Sequence, residues 1–413
     1  MVLVACVDVG STDTKLAVVD VTDGTLVRTG THPTTGGDVL HGVDALLADA
    51  RAHAGPATDV YCCSSAGGGL RLAVIGYEAL VSADAAHRVA LSAGARVVHV
   101  AAGPQDPAGI RAVRADRPDV LLLVGGTDGG DGDVLLHNAR RVAAARWRVP
   151  VVVAGNSDVR DTAVDVLTGR GVPAVGAGNV LPRIGVLDPG PARAAIRDVF
   201  LRHVIGGKHL SRGPRFPRLV RMATPDAVLT GVSLFADGLA GARPDGCDLL
   251  VVDVGGATTD VYSCLVPDGG DGGGGVAGTL WRARTVEGDL GVRWNVDGVH
   301  AAAARERVTV AGGDLGVAAA AAVIGVRRHA RSGRDLRNVG TLVASGGVFR
   351  HADPAAARAA LHPVVHDHAG GWALPRAPHV TVDDRYVLAP AGLLAAEHPA
   401  AAAALLRAYL HSG

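Results

Sequence analysis

LLVVDVGGATTDVYS, residues 249–263, opens with apolar, mostly β-branched side chains from Leu249 to Val254 and then turns abruptly polar. The pattern predicts a buried strand running into a tight turn and back out along Val261, Tyr262 and Ser263. Gly255 and Gly256 permit φ > 0 and let backbone N–H groups approach a ligand that a Cβ would obstruct. Asp253 at the strand end and Asp260 past the turn are acceptor-only groups suited to a hydrated Mg²⁺, while Thr258 and Thr259 can donate to phosphate oxygens. A lone Asp-x-Gly-Gly is equally an ordinary hairpin turn closed by an Asx residue, so a second observation is needed.

The chain supplies one at its other end. VLVACVDV (2–9) is again an apolar strand; it leads through Asp8, Gly10, Ser11, Thr12, Thr14 and Lys15 to a second apolar stretch, Leu16 to Val19. Two such strand–turn–strand units resemble the actin, sugar kinase and Hsp70 superfamily of ATPases, whose two phosphate loops grip a nucleotide and its metal from opposite sides of a cleft. TLVASGGVF (341–349), a strand ending in Gly346-Gly347, resembles that superfamily's adenosine loop. The fold expected from this resemblance is α/β: an actin-like ATPase fold of two similar domains around a nucleotide cleft. Residues 1–222 would form the first domain and 223–413 the second.

Bulk properties narrow the partners. A length of 413 residues suggests two or three domains with ample core. With 40 basic and 40 acidic residues the net charge is zero, which argues against nucleic acid or an anionic membrane as a general partner. Aromatic residues make up 3% of the chain, too few for base-stacking platforms. No uncharged apolar run reaches about 18 residues, and Met1 leads directly into a strand, so a cytoplasmic protein is expected. Five cysteines without framework spacing, including the adjacent Cys62-Cys63, read as small buried hydrophobes.

After the first hairpin, Asp38 to His53 shows helical spacing. From about 58 to 190, strands at Val60–Cys63, Arg96–Val100, Val120–Val124 and Val149–Ala154 alternate with helical stretches near 83–93, 106–115, 134–146 and 158–168. Alternation of this kind implies an extra parallel, helix-covered sheet within the first half. Gly-rich turns at 64–71 and 125–131, with Asn156, follow strand ends, where open α/β sheets bind ligands or partners. Ordinary strand-to-helix turns fit the same residues.

A narrower resemblance rests on DVGSTDTK (8–15), SSAGGGLR (64–71), LLLVGGTDGGD (121–131), HNARRVA (137–143), VVVAGNSD (151–158), ATPDAVL (223–229), DVGGATTDVYS (253–263), TVEGDLGVRWN (285–295) and DDRYVLAPAGLLA (383–395). Together these look like the MutL/GlmL family, described as ATPase-type accessory and reactivating proteins of adenosylcobalamin-dependent glutamate mutase and related aminomutases. The resemblance implies ATP or ADP with Mg²⁺ as cofactors and a mutase subunit as partner. It places Asp8, Asp253 and Glu287 at the catalytic centre, with Asp8, Asp253 and Asp260 on the metal side. Gly10, Ser11, Thr12, Thr14, Lys15, Gly255, Gly256, Thr258, Thr259, Gly346 and Gly347 would bind nucleotide. Glu287 and Asp289 read either as water-orienting or interdomain switch residues or as acids at a helix N-terminus. Thr224-Pro225-Asp226-Ala227 opens a first connecting helix and Gly392-Leu393-Leu394 lies in a second. Hydrolysis would change the angle between domains, and the motion would expel damaged cobalamin from the mutase. A small-molecule kinase and a non-hydrolysing scaffold remain the alternatives. PDGGDGGGG (267–275) reads as a hairpin tip without chemistry, and His362, His366 and His368 as solvated helix-end side chains rather than zinc ligands.

Overall fold

The computed structural model describes residues 1–66, 70–78, 95–200, 210–242, 248–265 and 282–410, with Ala86, Ala90 and Arg202 besides. Residues 67–69 of the first Gly-rich turn, most of the helix expected near 83–93, and the 267–275 hairpin tip lie outside the described residues. The chain divides into two compact units, one of Met1–Ala66, Thr224–Pro267 and Trp281–Gly413, the other of Gly67–Ala223 and Asp268–Leu280.

The first unit begins with β1 (Leu3–Val9), β2 (Asp13–Asp20), β3 (Thr25–Pro33), α1 (Leu40–Ala54) and β4 (Asp59–Ser64). β1 is buried along its whole length because it lies between antiparallel β2 and parallel β4, which accounts for its unbroken apolar run. β3 extends the sheet beyond β2, and α1 covers β2 and β3 with Val43, Leu46 and Ala50 turned inward.

The second unit is built on β5 (Arg71–Gly76), β6 (Arg96–Ala102), β7 (Val120–Leu123), β8 (Val151–Val153) and β9 (Ala174–Gly176), parallel in the order β6-β5-β7-β8-β9. α2 (Pro107–Ala115), α3 (Asp133–Ala144) and α4 (Ser157–Thr168) lie between the strands in sequence. Ile75, Leu121, Leu123, Val151 and Val153 share a core with Ala139, Val142 and Leu167 from two of these helices. α5 (Gly190–Val199), α6 (Arg215–Leu219) and β10 (Val220–Ala223) complete this part of the chain. This is the extra parallel region expected from the sequence, with one correction. Val60–Cys63 is not its first strand; those residues form β4 beside β1, and the parallel sheet starts instead with β5. Residues 71–76 follow a glycine run directly, so their strand is masked as the tail of a turn.

The first unit resumes with α7 (Thr224–Ala242), β11 (Leu249–Val254), β12 (Thr259–Cys264), β13 (Arg282–Glu287), α8 (Val296–Glu306), α9 (Gly313–Arg331), β14 (Thr341–Ser345), α10 (Gly347–His351), α11 (Pro354–Ala360), α12 (His362–Val365), β15 (His379–Val382), α13 (Leu388–Leu394) and α14 (Pro399–Leu410). Its second sheet has the order β13-β12-β11-β14-β15, and β11 repeats β1: antiparallel to its hairpin partner and parallel to the strand on its other side. The small side chains of α9, including Ala318, Ala321 and Ala322, share a core with Leu250, Val252 and Val261. α7 and α13 cross with their backbones nearly touching. A Cβ at Gly231 would stand 2.0 Å from the Leu388 carbonyl oxygen, and one at Gly392 would stand 1.8 Å from that of Ala227. Only glycine fits at either point. The duplicated sheets and the inserted parallel region make this an actin-like ATPase fold. Among the described residues no helix is long and apolar enough to cross a membrane.

Candidate nucleotide site

Each repeated hairpin ends in a turn closed by its own backbone. In the first, Gly10 N donates to Asp13 O at 3.1 Å, while Thr34 braces the turn through its N–H to Thr12 O (2.8 Å) and its hydroxyl to Gly10 O (2.9 Å). Thr14 is buried with its hydroxyl 3.0 Å from that of Thr34, so it shapes the turn from within. Ser11 is exposed and Thr12 partly so. In the second, Gly255 N donates to Thr258 O at 2.9 Å, and the buried Thr259 hydroxyl donates to Leu290 O at 2.7 Å.

Residues 285–295 back this second turn. Arg293 N and Trp294 N both donate to Gly256 O (2.9 and 2.8 Å), Val292 N donates to Gly255 O (3.1 Å), and Asn295 Nδ2 donates to Ala257 O (2.6 Å). The two turns meet here. Trp294 Nε1 donates to Thr12 Oγ1 at 3.2 Å, and a Cβ on Gly256 would stand 3.3 Å from the same oxygen. Glu287 and Asp289 are not at a helix N-terminus, since α8 begins at Val296. Both accept from Arg328 Nη1, at 2.8 and 2.7 Å, and Arg328 Nε also reaches Glu306 at 3.3 Å, so this guanidinium clamps the backing segment to α8.

Behind the turns lie the carboxylates. Asp8 is buried and accepts from the hydroxyls of Thr224 and Tyr386, the latter at 2.7 Å, with Lys15 Nζ at 3.7 Å. Asp253 is partly exposed, yet its surroundings push it up to about 6. Burial is the main cause; Lys15 and a Ser345 hydrogen bond oppose it, while Asp260 and Asp8 add repulsion. Asp260 is committed to Arg284 at 2.6 Å, and burial still raises it against that guanidinium. Gly346, at φ +111, packs over Val254 O, where a Cβ would stand 2.1 Å away; Gly347 is exposed with nothing within 4 Å of its Cβ position.

Thus Asp8, Lys15, Asp253, Thr12 and Gly256 come together, while Thr14, Thr259, Asp260 and Glu287 are each engaged by protein partners. Several residues of this neighbourhood have no site role legible in the sequence: Thr34, Arg284, Arg328, Tyr386 and Asp383, with Thr224 legible only as the start of a helix. Asp383 caps α13, accepting from Val387 N (2.7 Å) and Leu388 N (3.2 Å), and burial pushes it up to about 6. Only the double acid Asp383-Asp384 ahead of a helix hints at the cap. Elsewhere, the rings of His362 and His366 stack with centroids 3.7 Å apart, and His366 Nδ1 lies 3.0 Å from His362 O. Cys6, Cys62, Cys63 and Cys264 are buried thiols that form no disulfide.

Fold and turns together define a member of the actin-like ATPase class. More narrowly, the chain belongs to the MutL protein family, whose model matches residues 4–316 and 312–410. Protein MutL of Clostridium tetanomorphum is 32% identical over 461 aligned positions, covering 98% of each chain. Solved structures are more distant. Nucleotide-free acetone carboxylase overlaps with a TM-score of 0.34 at 16% identity over 70% of this chain and 48% of that one. The activator of the 2-hydroxyisocaproyl-CoA dehydratase from Clostridium difficile, with bound ADPNP, gives 0.32 at 9% identity over 97% and 95%. The inorganic polyphosphate/ATP-glucomannokinase from Arthrobacter sp. strain KM gives 0.31 at 13% identity over the whole of both chains. Overlaps this loose carry no argument about reaction or ligand.

Proposed function

We propose that the chain is a cytoplasmic, slow ATPase that spends hydrolysis on a conformational change in an adenosylcobalamin-dependent mutase, releasing damaged cobalamin. The halves that move would be residues 1–222 and 223–413. The observation that carries the nucleotide reading is the meeting of two register-matched Asp-x-Gly turns at Thr12 and Gly256, with Asp8, Asp253 and Lys15 behind them. The donor set suits Mg²⁺–ATP: hard carboxylate oxygens for the cation, and hydroxyls and turn N–H groups for phosphate.

Among the described residues no three His, Cys, Asp or Glu side chains gather closely enough to hold a metal ion. Mg²⁺ keeps several waters, and here it would be reached mostly through water and phosphate. When bound, Mg²⁺ would neutralise charge building on the phosphate oxygens. Asp8 and Asp253 would face its hydration shell, and Lys15 would offset charge at the γ-phosphate. Ser11, Thr12 and Thr258 would donate to phosphate oxygens; Gly346 and Gly347 would leave room for the purine. Asp253, an acid pushed up to about 6, is suited to hold the attacking water. Asp260 and Glu287 would act through Arg284 and Arg328. The mutase as client rests on the family resemblance.

Two assays test the reading. Phosphate release from ATP with no acceptor present should occur with the wild-type protein and fall about a hundredfold in Asp253→Asn. Release only on adding a small hydroxylated acceptor would favour the kinase alternative. Affinity capture from native cells in ATP and in ADP should retain a cobalamin-dependent mutase subunit unequally; no mutase in either would remove the client.

A further inference from the structure

Asp8 stands at the point where both connecting helices begin. Thr224, the first residue of α7, donates to its Oδ1, and Tyr386, two residues before α13, donates to its Oδ2 at 2.7 Å. Cys63 Sγ lies 3.4 Å from Oδ1, so each oxygen of a carboxylate that is 4% exposed is held by the protein. Tyr386 is held in an unusual backbone state. Its φ is +56, a left-handed conformation that bulky side chains rarely adopt unless their surroundings impose it.

The surroundings that impose it are visible. Asp383 N donates to Ala344 O (2.8 Å), tying the turn to the end of β14, and the Asp383 carboxylate gathers the first N–H groups of α13. The Lys15 ammonium sits 3.8 Å from the centre of the Tyr386 ring. Strain of this kind persists where a side chain must reach one particular atom, and the atom reached is Oδ2 of Asp8. Further along, α7 and α13 touch backbone to backbone at Gly231 and Gly392, so neither helix can shift at its start without the other responding.

We propose that Tyr386 and Thr224 are positioning residues that hold Asp8 for the first phosphate turn and pass its occupancy to α13 and α7. This rests on the nucleotide reading above. A cation, or the water bound to it, arriving beside Asp8 competes with the two hydroxyls for its lone pairs; product loss returns those lone pairs to them. The start of each helix is thereby set by what the turn holds.

The test uses the full chain, with steady-state phosphate release and amide hydrogen exchange in ADP and in a non-hydrolysable ATP analogue. In the wild type, protection of 224–242 and 388–394 should differ between the two nucleotides. Tyr386→Phe should lower kcat about tenfold or more with KM changed less than about threefold, and erase the difference at 388–394. Thr224→Val should do the same for 224–242, and Thr224→Ser, which keeps the hydroxyl, should restore both readouts. That valine and serine pair decides the matter even if Tyr386→Phe fails to fold. Variants that keep the wild-type kcat and exchange differences, or a serine variant as impaired as the valine one, overturn the proposal. A wild-type protein that neither binds nor hydrolyses ATP overturns the nucleotide reading itself, a result distinct from an active protein with insensitive variants.

Discussion

β1–β2 and β11–β12 share one geometry and divide at one position. Asp8 on β1 stands opposite Lys15 on β2 and beside Cys63 on β4; Asp253 on β11 stands opposite Asp260 on β12 and beside Ser345 on β14. Where the first half meets its acid with a cation, the second meets it with another acid. Asp8 therefore sits among donors and is held at both oxygens, whereas Asp253 is pushed up to about 6, first by burial and then by Asp260, against Lys15 and the Ser345 hydroxyl. A duplicated backbone has been specialised by the residue facing each carboxylate: one half fixes its acid, the other keeps it available.

The comparison breaks most severely if Arg284 is removed. Asp260 is tolerated behind the second turn because Arg284, itself 4% exposed, donates to it through Nε at 3.1 Å and Nη2 at 2.6 Å. Arg284→Met leaves that carboxylate unpaired next to Asp253 and should lower stability by about 3–5 kcal/mol. Denaturant unfolding checks this, and adding Asp260→Leu should recover most of the loss.

Next in size is a pH effect peculiar to the second half. Asp383 is raised to about 6 by burial, from an ordinary value of 3.8. The folded state thus holds a proton that the unfolded state has lost between about pH 4 and 6. Stability falls as pH rises through that window and levels off above it, by at most about 3 kcal/mol. Asp383→Asn keeps one of the two capping acceptors and should flatten this part of the profile, measured as Tm against pH.

The helices that leave the two halves offer a third, symmetric test. Gly392→Ala places a methyl group 1.8 Å from Ala227 O, and Gly231→Ala one 2.0 Å from Leu388 O. Each should lower stability by about 1–3 kcal/mol, and the double variant by less than the sum, because the first substitution already parts the helices.

What the sequence displayed of this design was whatever local spacing encodes. β1, β11 and β14 announce themselves as apolar runs that stop at Asp8, Asp253 and the glycines after Ser345, because a strand buried on both faces leaves no polar alternation. The turn residues follow from the same few positions. The grip on Asp8 was invisible, since Thr224 and Tyr386 lie 216 and 378 residues away and nothing in either side chain's local pattern marks it as a donor to a buried acid. Arg284 reads like any exposed strand residue until β13 is folded beside Asp260. Glu287 and Asp289 show the reverse error: spaced like acids at a helix start, the first ends β13, the second lies two residues past it, and both bind Arg328, for which α9 must first be packed against β13. β5 was lost for a third reason, a glycine run that hides where the turn stops.

The smallest effect separates the two acids most directly. Asp8→Asn gives Thr224 and Tyr386, both donors, a group with only one acceptor atom, so one hydroxyl is left facing an NH₂. The loss should be about 1–2 kcal/mol, read as a lowered denaturation midpoint at unchanged slope. Asp253→Asn removes a carboxyl whose ionised form is disfavoured where it sits. Above pH 7 it should leave stability within about 0.5 kcal/mol of the wild type or raise it slightly, since partial exposure already lets water share the charge. A variant of Asp253 that destabilises as much as Asp8→Asn would mean that both carboxylates are structural anchors. The opposite lysine and the opposite aspartate would then not have divided their tasks.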